Sequence, residues 1–203
     1  MPEASDTVIV IDDDAEIRRS LLSLLRSVGL QTILHASVAE FLKAARPEGP
    51  CCLVLDVRLP GKSGLDFQRE LKSEGAELPI IFISGHGDIP MSVKAIKDGA
   101  VEFLEKPFRD QDLLEAIGQA LEQDRISRQR RSEVAAVRTR FQTLTPRECQ
   151  VMALVVAGKA NKEIAAELGT SEVTIKVHRG NVMHKMQADS VADLVRMAAK
   201  LNV

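Results

Sequence analysis

The chain has 203 residues, 45% hydrophobic and 28% charged, with a formal net charge of −2. That length allows one large domain or two small ones, and the composition is that of an ordinary soluble protein. No apolar run approaches the roughly 18 residues of a membrane span, and the N-terminus lacks a basic stretch followed by an apolar core, so neither an anchor nor a signal peptide is expected.

Strand-like runs fall near 7–11, 31–35, 51–55, 79–83 and 101–104, and helical patterns fall between and after them near 15–28, 37–45, 65–74, 90–98 and 110–123. Five strand–helix units in alternation imply a parallel sheet covered on both faces. The short, wholly apolar strands fit such burial. The first helix shows its inner face in Ile17, Leu21, Leu24, Leu25 and Val28, and Gly29 supplies the stop. From Glu122 to Arg140 the chain is charged, free of Gly and Pro, and poor in apolar residues; Ile126, Val134, Val137 and Phe141 lie roughly on one helical side. A mostly helical linker over 122–140 follows.

The remainder reads as helix throughout. Thr145-Pro146-Arg147-Glu148 joins an N-cap, a Pro at the first helical position and an acid in the first turn. That helix runs to about 157 and stops at Gly158. Two more cover about 161–168 and 171–186, joined tightly at Gly169-Thr170, and a fourth covers about 190–201. The middle pair has the form of a helix-turn-helix. Three regions result: 1–121, the linker 122–140, and 141–203.

The net charge is unevenly divided. Residues 1–121 carry −7 and residues 122–203 carry +5. Such asymmetry suggests an acidic module joined to one that meets a polyanion. Cys51, Cys52 and Cys149 lack the spacing of a metal or disulfide framework, which points to core packing in a reducing compartment, the cytoplasm.

Chemistry gathers at the strand ends. Asp12 and Asp13 follow Val8-Ile9-Val10-Ile11, and Asp56 follows Cys52-Leu53-Val54-Leu55. Parallel strands bring their ends to one edge, where open α/β sheets bind ligands. Clustered carboxylates repel one another without a cation, and an oxygen-rich set of this kind suits Mg²⁺. The fourth strand ends in Ser84-Gly85, and the fifth is followed by Glu105-Lys106-Pro107, adding a hydroxyl and an ammonium to the same edge. Asp14 reads as a helix-start residue instead.

The stretches VIDDD, LVLDVRLPGKSGLD, FISGHGDIPMSVKAIKDGA and FLEKPF resemble response-regulator receiver domains of the FixJ/NarL type, and TPRE, NKEIAAELG and SEVTIKVHRGN resemble LuxR-type DNA-binding domains. The resemblance covers the whole chain. It implies a doubly wound (βα)₅ flavodoxin-like receiver followed by an all-α four-helix helix-turn-helix domain. It makes Asp56 the phosphoryl acceptor. Asp12, Asp13 and Asp56 would serve Mg²⁺, with the backbone carbonyl of Arg58; Asp12 acts through metal-bound water. Ser84 and Lys106 would contact the arriving phosphoryl group, and Phe103 would be the aromatic that turns inward with the switch. Arg58 and His86, each two residues beyond a strand-end site residue, would govern access of water. Pro107 follows Lys106 at a place where the family carries a cis peptide.

In the second module the third helix carries Lys176, Arg179 and Lys185. A recognition helix docks in the major groove with its early residues at base edges. Lys and Arg suit guanine or phosphates, and Val177 suits a thymine methyl. The resemblance puts base contact near Lys176, Val177 and Gly180; Gly180 departs from members with a basic residue there, which shifts reading toward Arg179. Asn181 and His184 could meet the DNA backbone or face solvent, and Lys162 could meet a phosphate. Val191, Leu194, Val195 and Ala198 form an apolar stripe on the last helix that can pack on the core, pair two subunits, or divide between both.

The expected protein is a cytoplasmic, phosphorylation-activated transcription regulator, with a sensor histidine kinase as donor, promoter DNA as target, RNA polymerase as a further partner, and a homodimer forming on phosphorylation. It is not expected to be an enzyme beyond accepting and losing its own phosphoryl group. Two rivals are a Mg²⁺-dependent phosphohydrolase with an aspartyl intermediate, which would need a substrate pocket, and a DNA-binding sensor of a small molecule, which would need an aromatic-rich cavity. Aromatic residues make up only 3% of the chain.

Overall fold

The computed structural model describes residues 6–85, 89–201 and 203. It divides into two compact units, Met1–Arg128 and Gln129–Val203. In the first, five strands alternate with helices: β1 (Thr7–Ile11), α1 (Ala15–Ser27), β2 (Gln31–His35), α2 (Val38–Lys43), β3 (Cys51–Asp56), α3 (Gly64–Ser73), β4 (Ile80–Ser84), α4 (Ile89–Lys97), β5 (Glu102–Glu105) and α5 (Asp110–Phe141). Helix α5 contributes residues to both units. The second unit adds α6 (Pro146–Val156), α7 (Asn161–Leu168), α8 (Glu172–Met186) and α9 (Val191–Leu201). Among the described residues, no helix is long and apolar enough to cross a membrane.

All strand pairs are parallel, in the order β2-β1-β3-β4-β5. Alternate residues of each strand point to opposite faces, so a sheet covered on both sides needs apolar residues at every position. Ile9, Ile11, Leu53, Leu55 and Phe82 enter the core shared with α2, α3 and α4. Val8, Val10, Val54, Ile81 and Ile83 enter the core shared with α1 and α5. The adjacent cysteines part in the same way: Cys51 joins the first core and Cys52 the second, and both are free thiols.

Helix α1 starts where the sequence suggests, with Asp14 accepting hydrogen bonds from the Glu16 and Ile17 backbones at 2.7 and 3.4 Å. Its inner face is narrower than periodicity predicts. Leu21 and Leu25 are buried, but Val28 is half exposed because it sits at the C-cap, where the chain leaves the helix for Gly29.

The apolar stripe of α5 runs through Leu113, Ala116, Ile117, Ala120 and Leu121, and the same face continues into a buried acid. Asp124 is 1% exposed. Its carboxylate accepts from the Cys51 backbone N–H at 2.8 Å and from Arg128 Nε at 2.6 Å. The Arg128 guanidinium also donates to the Glu48 carbonyl at 2.8 Å, to the Pro47 carbonyl at 3.3 Å and to Cys51 Sγ at 3.3 Å. Arg125 reaches Asp6 before β1 at 3.0 Å. The stretch 122–128, charged enough in sequence to read as the start of a tether, therefore clamps the beginnings of β1 and β3.

Removing one member of a buried, hydrogen-bonded charge pair costs more than the pair contributes, because its partners stay desolvated. Asp124→Ala should lower the unfolding free energy of the first unit by about 3 kcal/mol, with amide exchange accelerating at Cys51 and residues 46–50. Denaturant unfolding with hydrogen-exchange readout checks this; unchanged stability would mean that α5 beyond Leu121 is not part of that folding unit.

Candidate functional site

The register of the parallel sheet builds the acidic site. Ile11 lies beside Leu55, Asp56 beside Ile83, and Ser84 beside Glu105. Asp12, Asp56, Ser84 and Lys106 thereby meet at one edge, at the place where strand order reverses between β1 and β3. That crevice is where doubly wound sheets bind ligands. One carboxylate oxygen from each of Asp12, Asp13 and Asp56 lies within 4.8 Å of the others. Asp12 is fully buried, Asp56 nearly so, and Asp13 is exposed.

Lys106 bridges two of the acids, its Nζ lying 2.7 Å from both Asp12 Oδ2 and Asp56 Oδ2. Burial works against the ammonium, but the bonds to Asp12 and Asp56 outweigh it and hold Lys106 above the ordinary lysine pKa. Burial pushes the Asp12 carboxyl up, offset only in part by Lys106 and by the Asp14 N–H at 2.8 Å. The second oxygen of Asp56 accepts from the Arg58 backbone N–H at 2.8 Å. Backbone pairing fixes the lysine itself, since its N–H donates to the Ser84 carbonyl at 2.8 Å; the Lys106–Pro107 peptide is cis. Ser84 is fully buried at the end of β4. Phe103 is half-buried, its ring centroid 6.3 Å from that of Phe82. His86 lies outside the described residues.

Gly64 has a part that the sequence did not disclose. In the stretch LPGKSG, with Pro60 and Gly61, it reads as ordinary turn chemistry. A Cβ there would come within 2.6 Å of the Asp56 carbonyl oxygen and 3.2 Å of Leu55 and Phe82 side-chain atoms. Only glycine lets the start of α3 approach the acidic strand end this closely.

In the second unit, α7 and α8 meet through a left-handed Gly169 at φ 62°. Ser171 caps α8 by accepting from the Thr174 N–H at 3.1 Å. Of the cations expected on α8, two are engaged inside the module. Arg179 Nη1 donates to Asn161 Oδ1 on α7 at 3.0 Å. Lys185 Nζ donates to the buried Glu148 carboxylate on α6 at 2.6 Å. Glu148 also closes the capping box with Thr145, accepting from its backbone N–H at 2.8 Å. Lys185 and these backbone bonds pull the Glu148 carboxyl down to about 2. Arg147, beside it, donates to the Leu168 carbonyl at the end of α7 at 2.6 Å. Lys162, Lys176, Val177, Gly180 and Asn181 are exposed.

The apolar stripe of α9 is mostly core. Leu194 and Ala198 are 0% and 1% exposed, packed with Val151, Met152, Ile175 and Val182. These two cannot form a subunit surface, because the small four-helix core needs them; Val195, at 39% exposure, is the large apolar side chain of the stripe left outside.

Residues 8–118 match the response regulator receiver domain family, and residues 142–198 match the luxR family of bacterial regulatory proteins. The chain is a response regulator. It is 54% identical to nodulation protein W of Bradyrhizobium diazoefficiens over 196 residues, which cover 97% of this chain and 86% of that protein. It is 48% identical to the transcriptional regulatory protein FixJ of Azorhizobium caulinodans over 202 residues, covering 98% and 93% of the two chains. Its fold resembles the solved structure of the response regulator StyR with a TM-score of 0.85 at 47% identity, covering 97% of this chain and 100% of that one. A receiver module and a LuxR-type DNA-binding module in one chain make this response regulator a phosphorylation-dependent regulator of transcription.

The Glu148–Lys185 bridge has a defined pH signature. A carboxyl depressed from 4.5 to about 2 by folding stabilises the native state fully above pH 4.5, and that stabilisation fades as pH falls toward about 2. Glu148→Gln should lower the thermal stability of the second unit near neutral pH by an amount worth about 2 kcal/mol. The gap between the two proteins should close on acidification through that window, as read by helical circular dichroism during melts at stepped pH. A gap constant down to pH 2 would mean that the charge of Glu148 does not matter.

Proposed function

We propose that Asp56 is the phosphoryl acceptor of this response regulator and that Asp12, Asp13 and Asp56 hold the Mg²⁺ that the transfer requires, with the Arg58 carbonyl completing the protein ligands. The observation that carries this is the convergence of three carboxylates within 4.8 Å beside one bridging ammonium, at the switch-point edge of the sheet. Hard oxygen donors in such a set suit Mg²⁺. A bound Mg²⁺ neutralises and orients the phosphoryl oxygens.

The donor is the phosphohistidine of a sensor kinase. An oxygen of Asp56 attacks phosphorus in line, the P–N bond to the donor histidine breaks with its electron pair leaving on nitrogen, and an acyl phosphate forms. There is little bond-making chemistry for the protein to perform, so positioning and charge neutralisation dominate. Lys106, already 2.7 Å from Asp56, supplies a positive charge to the incoming oxygens. Ser84, buried at the adjacent strand end, supplies a hydroxyl. Gly64 keeps the start of α3 close without a side chain in the way. Water later cleaves the acyl phosphate, and that self-directed turnover is the extent of the chemistry.

The new dianion biases a two-state element. Ser84 moves to the phosphoryl group and Phe103 turns toward the space it leaves. The surface that reports the change is α4 with β5. Ile89, Val93 and Ile96 are exposed on α4, and pairing of two receivers there brings two helix-turn-helices to a two-fold related promoter site. RNA polymerase is engaged downstream of that binding.

Incubation with acetyl phosphate and Mg²⁺ should add one phosphoryl group, detected by intact mass, and Asp56→Asn should abolish it. Labelling that survives in Asp56→Asn would move the acceptor elsewhere. Lys106→Ala should retain Mg²⁺ binding while slowing labelling by roughly 10²-fold or more, in line with the loss of one electrostatic stabiliser.

A further inference from the structure

We propose that Val173 and Val177 together read the 5-methyl groups of two thymines in the promoter site, making Val173 a specificity residue beside the valine already expected to touch DNA. This rests on α8 being the recognition helix of a LuxR-type module.

Positions 173, 176, 177 and 180 recur at the i, i+3, i+4, i+7 spacing of a single helix face. On that face Val173 is 74% exposed and Val177 is 58% exposed, with exposed Lys176 between them. Val173 falls in the first turn of α8, just after its Ser171 cap, and the early residues of a recognition helix are those that reach base edges. Large exposed apolar side chains on a basic, DNA-facing helix cannot be explained by the core of the module, because that core is filled from the opposite face by Ile175, Val182 and Met186.

The major groove offers mostly hydrogen-bonding groups, and its apolar feature is the thymine methyl. A β-branched side chain covers a methyl well and can accept no hydrogen bond in competition. Four residues along a helix advance roughly 6 Å, comparable to two base-pair steps of about 3.4 Å each. Val173 and Val177 are therefore spaced to meet methyls about two base-pair steps apart.

The engaged cations sharpen the assignment. Arg179 is tied to Asn161 and Lys185 to Glu148, whereas exposed Lys176 is the charged side chain between the two valines on this face. Gly180 leaves the next position without a side chain, and the fold does not require it: a Cβ there would meet nothing within 4 Å. The resulting surface is one cation flanked by two apolar caps, complementary to one guanine or phosphate beside a pair of thymines.

The test uses the full chain activated with acetyl phosphate and Mg²⁺. Duplexes are first enriched from a randomised library. Each thymine of the enriched site is then replaced singly by deoxyuracil, which removes the methyl and keeps every hydrogen-bonding group. In each half-site two such replacements should each weaken binding about 4-fold, the value of one buried methyl. Val173→Ala should abolish the penalty at one of them and Val177→Ala at the other. Both variants place a better helix former at an exposed position, and unchanged circular dichroism separates lost reading from lost folding. Uracil penalties absent at every position, or persisting undiminished in both variants, would overturn the proposal while leaving DNA binding intact. Failure to enrich any duplex would overturn the DNA-binding reading and this proposal with it.

Discussion

Lys106 holds one ammonium 2.7 Å from two carboxylates, and the acidic edge of the sheet is tenable because of it. Like charges about 4 Å apart in a protein-like medium repel by about 4 kcal/mol, and three carboxylates gather here. Burial raises the cost further, which is why the Asp12 carboxyl sits above its ordinary pKa even with Lys106 beside it. One monovalent cation cannot neutralise three acids. The edge therefore keeps an excess of negative charge that a divalent ion can satisfy. The same excess would repel an anionic phosphoryl donor, so the proposed transfer and the proposed ion depend on each other.

That geometry is a consequence of strand register. The bridging lysine lies on the loop after β5, and its reach to Asp12 spans 94 positions of sequence. Its backbone is pinned to the Ser84 carbonyl, and β4 is in turn paired with β3, which ends in Asp56. A slip of one residue in any of these ladders would turn the strand-end side chains to the other face. Buried, mostly apolar residues along the central strands β1, β3 and β4 make such a slip there costly on both faces at once. Hydrophobic packing thus positions the charges: the cores set the register, and the register sets the distances. At the opposite end of the strands, Asp124 and Arg128 fix the start of β3 with the same kind of buried, multiply bonded charge.

Sequence made the acidic site legible because Asp12, Asp56 and Ser84 directly follow short apolar runs and Asp13 and Lys106 come one residue later, so the end of a strand and the place of the site residue are nearly the same signal. The five strands and nine helices expected from periodicity match the observed elements to within a residue or two at most ends. What escaped was long-range pairing among residues that look solvated. Asp124 and Arg128 sit in a run of charge whose bland reading is an exposed face, and their partner Cys51 is 73 residues away. Lys185 and Arg179 look like DNA contacts by type and helix, and nothing local reveals that Glu148 and Asn161 engage them. Gly64 carries turn chemistry and a close backbone approach, and only three-dimensional contact separates the two. Periodicity also overstates the width of a buried stripe, as Val28 on α1 shows.

The second unit illustrates why composition alone overstates nucleic-acid contact. Residues 122–203 carry a net +5, yet several of these cations serve the fold. Arg147 closes the end of α7, Arg179 ties α7 to α8, and Lys185 anchors α8 to Glu148. A module with such a small core benefits from these directional ties, since three helices must be held at fixed angles with few side chains between them. Cations used in this way still contribute to the long-range field that draws a polyanion, while their side chains are held by contacts within the fold. On the proposed reading affinity and discrimination separate: the field comes from the whole basic unit, and selectivity rests on exposed side chains of α8, Val173 and Val177 beside Lys176.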